Sequence, residues 1–364
     1  MIFKLVWENV RHRPLRTMLS VLLIAVPVTL ILTLIGLSHG FMEDSQKRQA
    51  GVGADILFKG TGAELMSFSA ATLSDKFVDL LAKEPHVALA TGTVVAPIGG
   101  FDSLTGIDPA AFEKMSGGFV YDEGQTFRGP DDILIDTYAA TQRKAHLGST
   151  IHELNHDWHV VGIVEPGKLA HLFVQAKVLQ ELNGNPGKVS QIYLKLDDPR
   201  NTQAVIEALK TKYDGYRLWA MAEMQSLLSV DNIPLLRSFI RVVVGIGVVI
   251  GFAVVSLSMY MAVLQRTREI GILKSLGATK SFVMGLILAE AFCLGLGGTI
   301  FGIVLSYGSR YIMHAVAPAS LPQAIVYSWW PRAGAIAMGA ALLGALYPGM
   351  LAVKQDPIEA LAYE

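Results

Sequence analysis

Met18 to Leu37 runs for twenty residues without a charge, Val242 to Leu264 for twenty-three, and Ala333 to Val353 is likewise uncharged. A fourth run, Phe282 to Tyr307, holds a single charge, Glu290. At 1.5 Å rise per residue, about 20 apolar residues cross ~30 Å of hydrocarbon. Soluble core helices rarely run this long uncharged, so the four runs are read as membrane-spanning helices. Composition agrees: charged residues make up 17% of the 364, against ~25% in soluble domains. Such a deficit excludes a purely soluble enzyme and a disordered chain. The 30 Lys and Arg against 31 Asp and Glu give no basic excess, so no nucleic-acid partner is expected. The lone cysteine, Cys293, excludes a disulfide framework and a Cys-rich zinc module.

Short-loop Lys and Arg orient the spans. Lys4, Arg11, Arg13 and Arg16 precede the first; Arg266, Arg268, Lys274 and Lys280 lie between the second and third; Lys354 follows the fourth. The loop after the third span carries only Arg310 and Arg332. Both termini and the 265–281 loop are therefore expected in the cytoplasm. The first apolar run is too long for a signal h-region and lacks a clean cleavage site, so a retained anchor is expected. The expected layout is a cytoplasmic amphipathic helix over 1–17, a first span over 18–39 with an outward stalk, and an extracytoplasmic domain over 40–237. Spans over 238–264, 282–307 and 333–353 follow, joined by the 265–281 loop and a short external loop over 308–332; 354–364 is a cytoplasmic tail. In the first seventeen residues, Phe3, Val6, Trp7 and Val10 share one helical face and suit the surface of membrane lipids.

The external region has ordinary soluble composition. Strands are expected at Asp55–Phe58, Asp131–Asp136, His159–Val164 and Gln191–Leu196, the last half-buried by its alternation. Ser74 is a candidate N-cap for a helix to Lys83, and Asn201 for one to Lys212. Alternating strands and helices predict an α+β domain. Met221–Arg237 is expected as a helix leading into the second span.

His152-Glu153-Leu154-Asn155-His156 matches H-E-x-x-H, which on a helix binds zinc through both histidines, with the glutamate as base. His159 is a conceivable third ligand, and a membrane zinc protease a remote function. The flanks, however, read as strands around a turn. On a strand, i and i+4 lie ~13 Å apart. A hairpin without metal is expected. Gly184–Ser190 fails the phosphate-loop pattern, with Leu182 in place of the first glycine and Val189 after the lysine. No cofactor or catalytic residue is assigned to this chain. Glu290, inside a span, is a functional candidate by default; the alternative is a paired or protonated carboxylate at a helix interface, and no second buried charge is apparent beside it. Small residues at spacing four, Gly247/Gly251, Gly298/Gly302 and Ala335/Gly339, permit close helix crossing.

Arg266–Leu276 is the most informative stretch. It predicts a short amphipathic helix stopped by Gly277, with Ile272, Leu273 and Leu276 on one face and Arg268 and Glu269 at its rim. Such a helix suits a groove on a cytoplasmic partner.

The run Gln265–Lys280, followed by Glu290-Ala291 and a glycine-rich span, closely resembles the FtsX/MacB-type ABC transporter permeases. Asp356–Leu361, Gly53–Ile56 and Val160–Val164 are similar to the same family's C-terminal ending and core domain. The resemblance implies a homodimer, or a heterodimer with a paralogous permease, bound to two ABC ATPase subunits that hold ATP and Mg. It implies that 266–277 is the coupling helix, and it admits a periplasmic adaptor and an outer-membrane channel as further partners. The 364 residues leave no room for the fused ATPase of MacB proper, so a separate ATPase subunit is expected. Family members export or extract lipoproteins, lipids, peptides or drugs, or relay force to a partner such as a cell-wall hydrolase; both readings stay open here. The expected location is the bacterial inner membrane.

Overall fold

The computed structural model describes residues 14–61, 73–99, 102–227 and 234–354. The N-terminal face of Phe3, Val6, Trp7 and Val10 and the Asp356–Leu361 motif lie outside the described residues. Helix α1 spans Pro14–Ala50 as one element of 37 residues. Proline suits its first turn, because the N–H it lacks would have no intrahelical acceptor there. The external elements begin with β1 (Ile56–Lys59), β2 (Leu73–Ser74), α2 (Lys76–Leu81), β3 (Val87–Gly99) and β4 (Asp102–Ile107). Next come α3 (Pro109–Ser116), β5 (Tyr121–Gly124), β6 (Asp132–Asp136), α4 (Thr137–Arg143), β7 (Thr150–Glu153) and β8 (His156–Val164). Then follow β9 (Leu172–Gln175), α5 (Ala176–Leu182), β10 (Lys188–Val189), β11 (Gln191–Leu196), α6 (Thr202–Lys212), β12 (Arg217–Ala220) and α7 (Met221–Leu227). The chain closes with α8 (Pro234–Gln265), α9 (Thr267–Ser275), α10 (Lys280–Val316) and α11 (Trp329–Lys354). Helices α1, α8, α10 and α11 are long and apolar enough to span a membrane, and they flank an α+β domain between the first and second.

Two units form. One comprises 1–38, 234–312 and 323–364; the other comprises 39–233 and 313–322. In the membrane unit, small residues set the packing. A Cβ on Gly298 would lie 2.5 Å from Ile24 Cγ2, and one on Gly302 would lie 2.7 Å from Val28 Cβ. The Gly298/Gly302 pair therefore seats α10 against α1 with no room for a side chain. Gly344 does the same for α11, its Cβ position being 2.6 Å from the Phe252 carbonyl oxygen. Gly339 differs from expectation: nothing lies within 4 Å of its Cβ position, and Ala335 is exposed. Hydroxyls add interhelical hydrogen bonds. Ser20 and Ser258 are 2.6 Å apart, and Thr29 Oγ1 donates to the Gly302 carbonyl at 3.1 Å.

In the external unit, the sheet order is β12-β1-β11-β3-β4-β9-β6-β8-β5, with β7 paired to β8. Strand β3 holds it together. Its first half, from Val87 to Thr93, pairs with β11, and its second half, from Val94 to Gly99, pairs with β4. Two lobes share this one strand. The first buries Phe58 against Phe77 and Tyr216; the second stacks Phe112 on Phe119, which meets Phe173 edge-on. β11, expected half-buried, is buried at five of six positions because it lies between β1 and β3, with helices covering the sheet. Ser74 belongs to β2, and Asp75 takes the position before α2 instead. Asn201 precedes α6 without a side-chain cap.

A charged cluster is buried in the second lobe. His171 Nδ1 lies 2.6 Å from Asp136 Oδ2, and its Nε2 faces Asp44 at 3.6 Å. Asp44 in turn pairs with Arg48 one helical turn along α1, at 2.8 Å. Burial by itself lowers the His171 pKa, but the carboxylates of Asp136 and Asp44 outweigh it and raise the pKa to about 9.

Two predictions follow from this packing. Gly298→Val or Gly302→Val overfills the α1–α10 contact and should destabilise the helix bundle by ~1–3 kcal/mol in detergent unfolding, while Gly339→Ala should be neutral or slightly stabilising. The His171 cluster predicts a pH dependence. Because the folded pKa lies above the unfolded value near 6.5, its stabilisation is complete below about pH 6.5 and is lost as pH rises through about 9. Melting of the external unit in the full-length chain should fall over that window, and His171→Gln should flatten the profile.

Candidate functional site

Helix α9 follows directly on α8. The chain breaks at Arg266, whose φ of −118° and ψ of 18° are not helical, and resumes with Ile270 N–H donating to the Arg266 carbonyl at 3.0 Å. Glu269 in the first turn and Lys274 in the last suit the helix dipole. The end is a Schellman motif: Ala278 N–H donates to Leu273 O at 2.9 Å and Gly277 N–H to Lys274 O at 3.1 Å. Gly277 has φ +96°, a conformation in which a Cβ would clash with the backbone.

One side of α9 is fixed to the helix bundle at three points. Ile270, only 7% exposed, enters the cluster of Val263, Val283 and Ile287. Arg266 Nη1 reaches Glu290 Oε2 of α10 at 3.3 Å, with both side chains 12% exposed. Lys274 Nζ donates to the Val353 carbonyl in the last turn of α11 at 3.0 Å, where helix carbonyls lack intrahelical donors. The opposite side is open. Ile272 is 43% and Leu276 80% exposed, and Arg268 and Glu269 are exposed beside them. Leu273, three residues on from Ile270, is half-buried.

Two features differ from the sequence reading. Glu290 does have a buried partner, Arg266, which comes from 24 residues earlier in the chain; Arg266, the first residue of the expected coupling helix, turns its side chain inward. Ile270 is the buried anchor that sequence reasoning missed. Its signal was the spacing of Ile270 with Leu273, a second apolar pair offset from Ile272 and Leu276.

The His152 motif is a hairpin. β7 and β8 pair antiparallel, Leu154 and Asn155 form the turn with φ of 55° and 58°, and Glu153 stands opposite His156. Adjacent strand residues point to opposite faces, so His152, paired with Asp157, faces away from His156. His152 bonds Asp157 at 2.7 Å, His156 bonds Asp131 at 2.9 Å, and Glu153 pairs with Arg143. Among the described residues no group of three His, Cys, Asp or Glu is placed to hold a metal ion. A cleft of about 470 Å³ opens between the two lobes over Ala90–Gly92 of β3, with Val78, Ile107 and Val189 as apolar walls and Asp75, Asp79, Asp108 and Lys177 among its polar groups.

Residues 17–212 match the MacB-like periplasmic core domain, and residues 241–357 match the FtsX-like permease C-terminal region. The first match alone covers more than half the chain. The chain belongs to the FtsX/MacB-like family of ABC transporter permeases. Over 392 residues this permease is 24% identical to the macrolide export ATP-binding/permease protein MacB of Escherichia coli, covering 97% of this chain and 59% of that one. It is 34% identical over 154 residues to the uncharacterized ABC transporter permease YknZ of Bacillus subtilis, covering 42% of this chain and 37% of that one. The chain thus spans little more than half the length of the MacB relatives. The crystal structure of the periplasmic region of MacB from Actinobacillus actinomycetemcomitans aligns with 50% of this chain at 16% identity and a TM-score of 0.39. The permease is a multi-pass inner-membrane protein with its α+β domain on the periplasmic side, between the first two spans.

The Arg266–Glu290 pair makes a quantitative prediction. Removing one partner leaves a buried charge unpaired, so Arg266→Ala or Glu290→Ala should each cost ~3–5 kcal/mol. The apolar double variant Arg266→Met/Glu290→Leu should recover most of the loss. Denaturant unfolding in detergent micelles measures this; a loss in the double variant equal to the sum of the two single losses would show that the two side chains are not coupled.

Proposed function

We propose that this permease seats a separate ABC ATPase on the exposed face of α9 and turns ATP hydrolysis into movement of its periplasmic domain, exporting or extracting a hydrophobic or amphiphilic substrate. The observation that carries this is the two-sidedness of α9. A helix that passes on a displacement needs a fixed side and a free apolar side, and Ile270, Arg266 and Lys274 supply the first while Ile272 and Leu276 supply the second. ATP and Mg belong to the ATPase subunit. A second permease copy or a paralogue completes the pair of docking sites, and a periplasmic adaptor, leading to an outer-membrane channel, is the partner proposed for the external domain. The similarity to MacB, a macrolide export ATP-binding/permease protein, supports export over a pure signal relay. The inter-lobe cleft, with apolar and charged walls together, suits an amphiphile.

Apolar anchors at the centre of an interface outweigh rim charges, with truncation of each costing ~1–2 kcal/mol or more. Ile272→Asp and Leu276→Asp should therefore each weaken co-purification of the ATPase at least tenfold while the permease still inserts and folds. Arg268→Ala should weaken it less. Leu273→Asp is the less clean variant, because Leu273 is half-buried and its change disturbs the bundle as well. ATPase capture by the Ile272→Asp/Leu276→Asp double variant at the wild-type level would overturn the docking assignment.

A further inference from the structure

Helix α4 is short, seven residues, yet the outer ends of two different spans converge on it. At its N-terminus, Asp136 accepts from Ala139 N–H at 2.8 Å with Oδ1 and holds His171 with Oδ2 at 2.6 Å. The other imidazole nitrogen of His171 faces Asp44, on the outward end of α1. The Arg48 carbonyl of the same helical end also receives Leu169 N–H at 2.8 Å. These contacts fix α1 to the base of α4.

The face of α4 receives the outer end of α10. Tyr138 and Gln142 are four residues apart and share one side of the helix. His314 meets the Tyr138 ring at a centroid distance of 6.2 Å. Gln142 grips the segment that follows. Its Oε1 accepts from both Ala319 N–H, at 3.2 Å, and Ser320 N–H, at 3.0 Å. Its Nε2 donates to Ser320 Oγ at 2.6 Å, and that hydroxyl donates to Asp102 Oδ1 at 2.9 Å. Asp102 is held by Arg143 at 3.3 Å, and Arg143 also pairs with Glu153 of the hairpin. A single primary amide thus uses both its acceptor and its donor on one loop, and the loop is backed by a charged network running through β4, α4 and β7. Residues 313–322 belong to the external unit although they continue α10, which begins only a few residues after α9.

We propose that α4 is the hub through which displacement of the first and third spans enters the periplasmic domain, with Gln142 as the positioning residue that engages the third span. This rests on the ATPase-coupled reading above. The path is short in covalent terms: α9 leads through Gly277 into α10, α10 runs unbroken from Lys280 to Val316, and Ala319 and Ser320, three and four residues on, are in the grip of Gln142. A helix carries a displacement along its axis without side-chain chemistry in the lipid. What it needs is a bonded contact at the far end, and hydrogen bonds to two backbone N–H groups supply one that follows the main chain rather than a mobile side chain.

The test is hydrogen exchange on the full permease in complex with its ATPase, with and without ATP and vanadate. In the wild type, ATP should change exchange both in the 265–281 loop and in β4 and β6. In Gln142→Ala the loop response should persist, the response of β4 and β6 should fall at least threefold, and amides 319 and 320 should exchange at least tenfold faster. Ser320→Ala, which leaves the two backbone bonds in place and sits outside the lobe core, should give an intermediate loss. Transport should fall with the periplasmic response while ATP hydrolysis is retained. A wild type without any response at 265–281 would overturn the ATPase reading and this proposal with it. A wild type responding at both places, with Gln142→Ala unchanged at both, would overturn the hub alone.

Discussion

Between lipid-facing helices there is no hydrophobic force to speak of, since a leucine is as content against an acyl chain as against another leucine. Association then depends on how closely two backbones approach. In this permease the approach is set by Gly298 and Gly302 against Ile24 and Val28, and by Gly344 against the backbone at Phe252. Where the backbones touch, dispersion contacts are dense and a hydroxyl such as that of Thr29 reaches a carbonyl on the neighbouring helix. The remaining features of the membrane unit are built on that close seating.

Among them is the burial of an ion pair. A lone carboxylate in a span is costly. Glu290 is tolerable because α8 ends where it does, which brings Arg266 back over the first turns of α10. The same geometry aims Ile270 into the bundle and leaves Ile272 and Leu276 pointing away from it. One break in the helix thus pairs a charge, fills a gap and presents an apolar face. A buried pair of this kind gives little net stability against an apolar replacement; its value here is positional, since it ties the start of α9 to a neighbouring span.

The periplasmic domain solves a different problem. It is tied to the spans by covalent connections at both ends and has two lobes that share β3, so the lobes are linked by a continuous strand rather than by a flexible linker. Around α4, charged groups and hydrogen bonds within the external unit hold its parts together. Asp136, His171, Asp44 and Arg48 are bonded among themselves, as are Asp102, Arg143, Gln142 and Ser320. Directional contacts of this type keep a fixed register, which a smooth apolar surface does not.

The sequence by itself determined the membrane spans, because uncharged runs of twenty or more residues have one physical outcome, and it determined the H-E-x-x-H hairpin, because turn chemistry and flanking strand residues are local. It likewise marked α9, through apolar spacing and Gly277, and located β1, β6, β8 and β11. Tertiary structure decided which face of α9 is free, since periodicity alone does not say whether Ile270 or Ile272 meets the bundle. It also decided the partner of Glu290, the burial of β11 on both faces, and the convergence of Asp44, through His171, and of Ser320 on one short helix. They rest on contacts between residues distant in the chain, such as Arg266 and Glu290, 24 positions apart, and Asp102 and Ser320, 218 apart. Such contacts follow from the path of the folded backbone, on which the spacing of residues along the chain is silent.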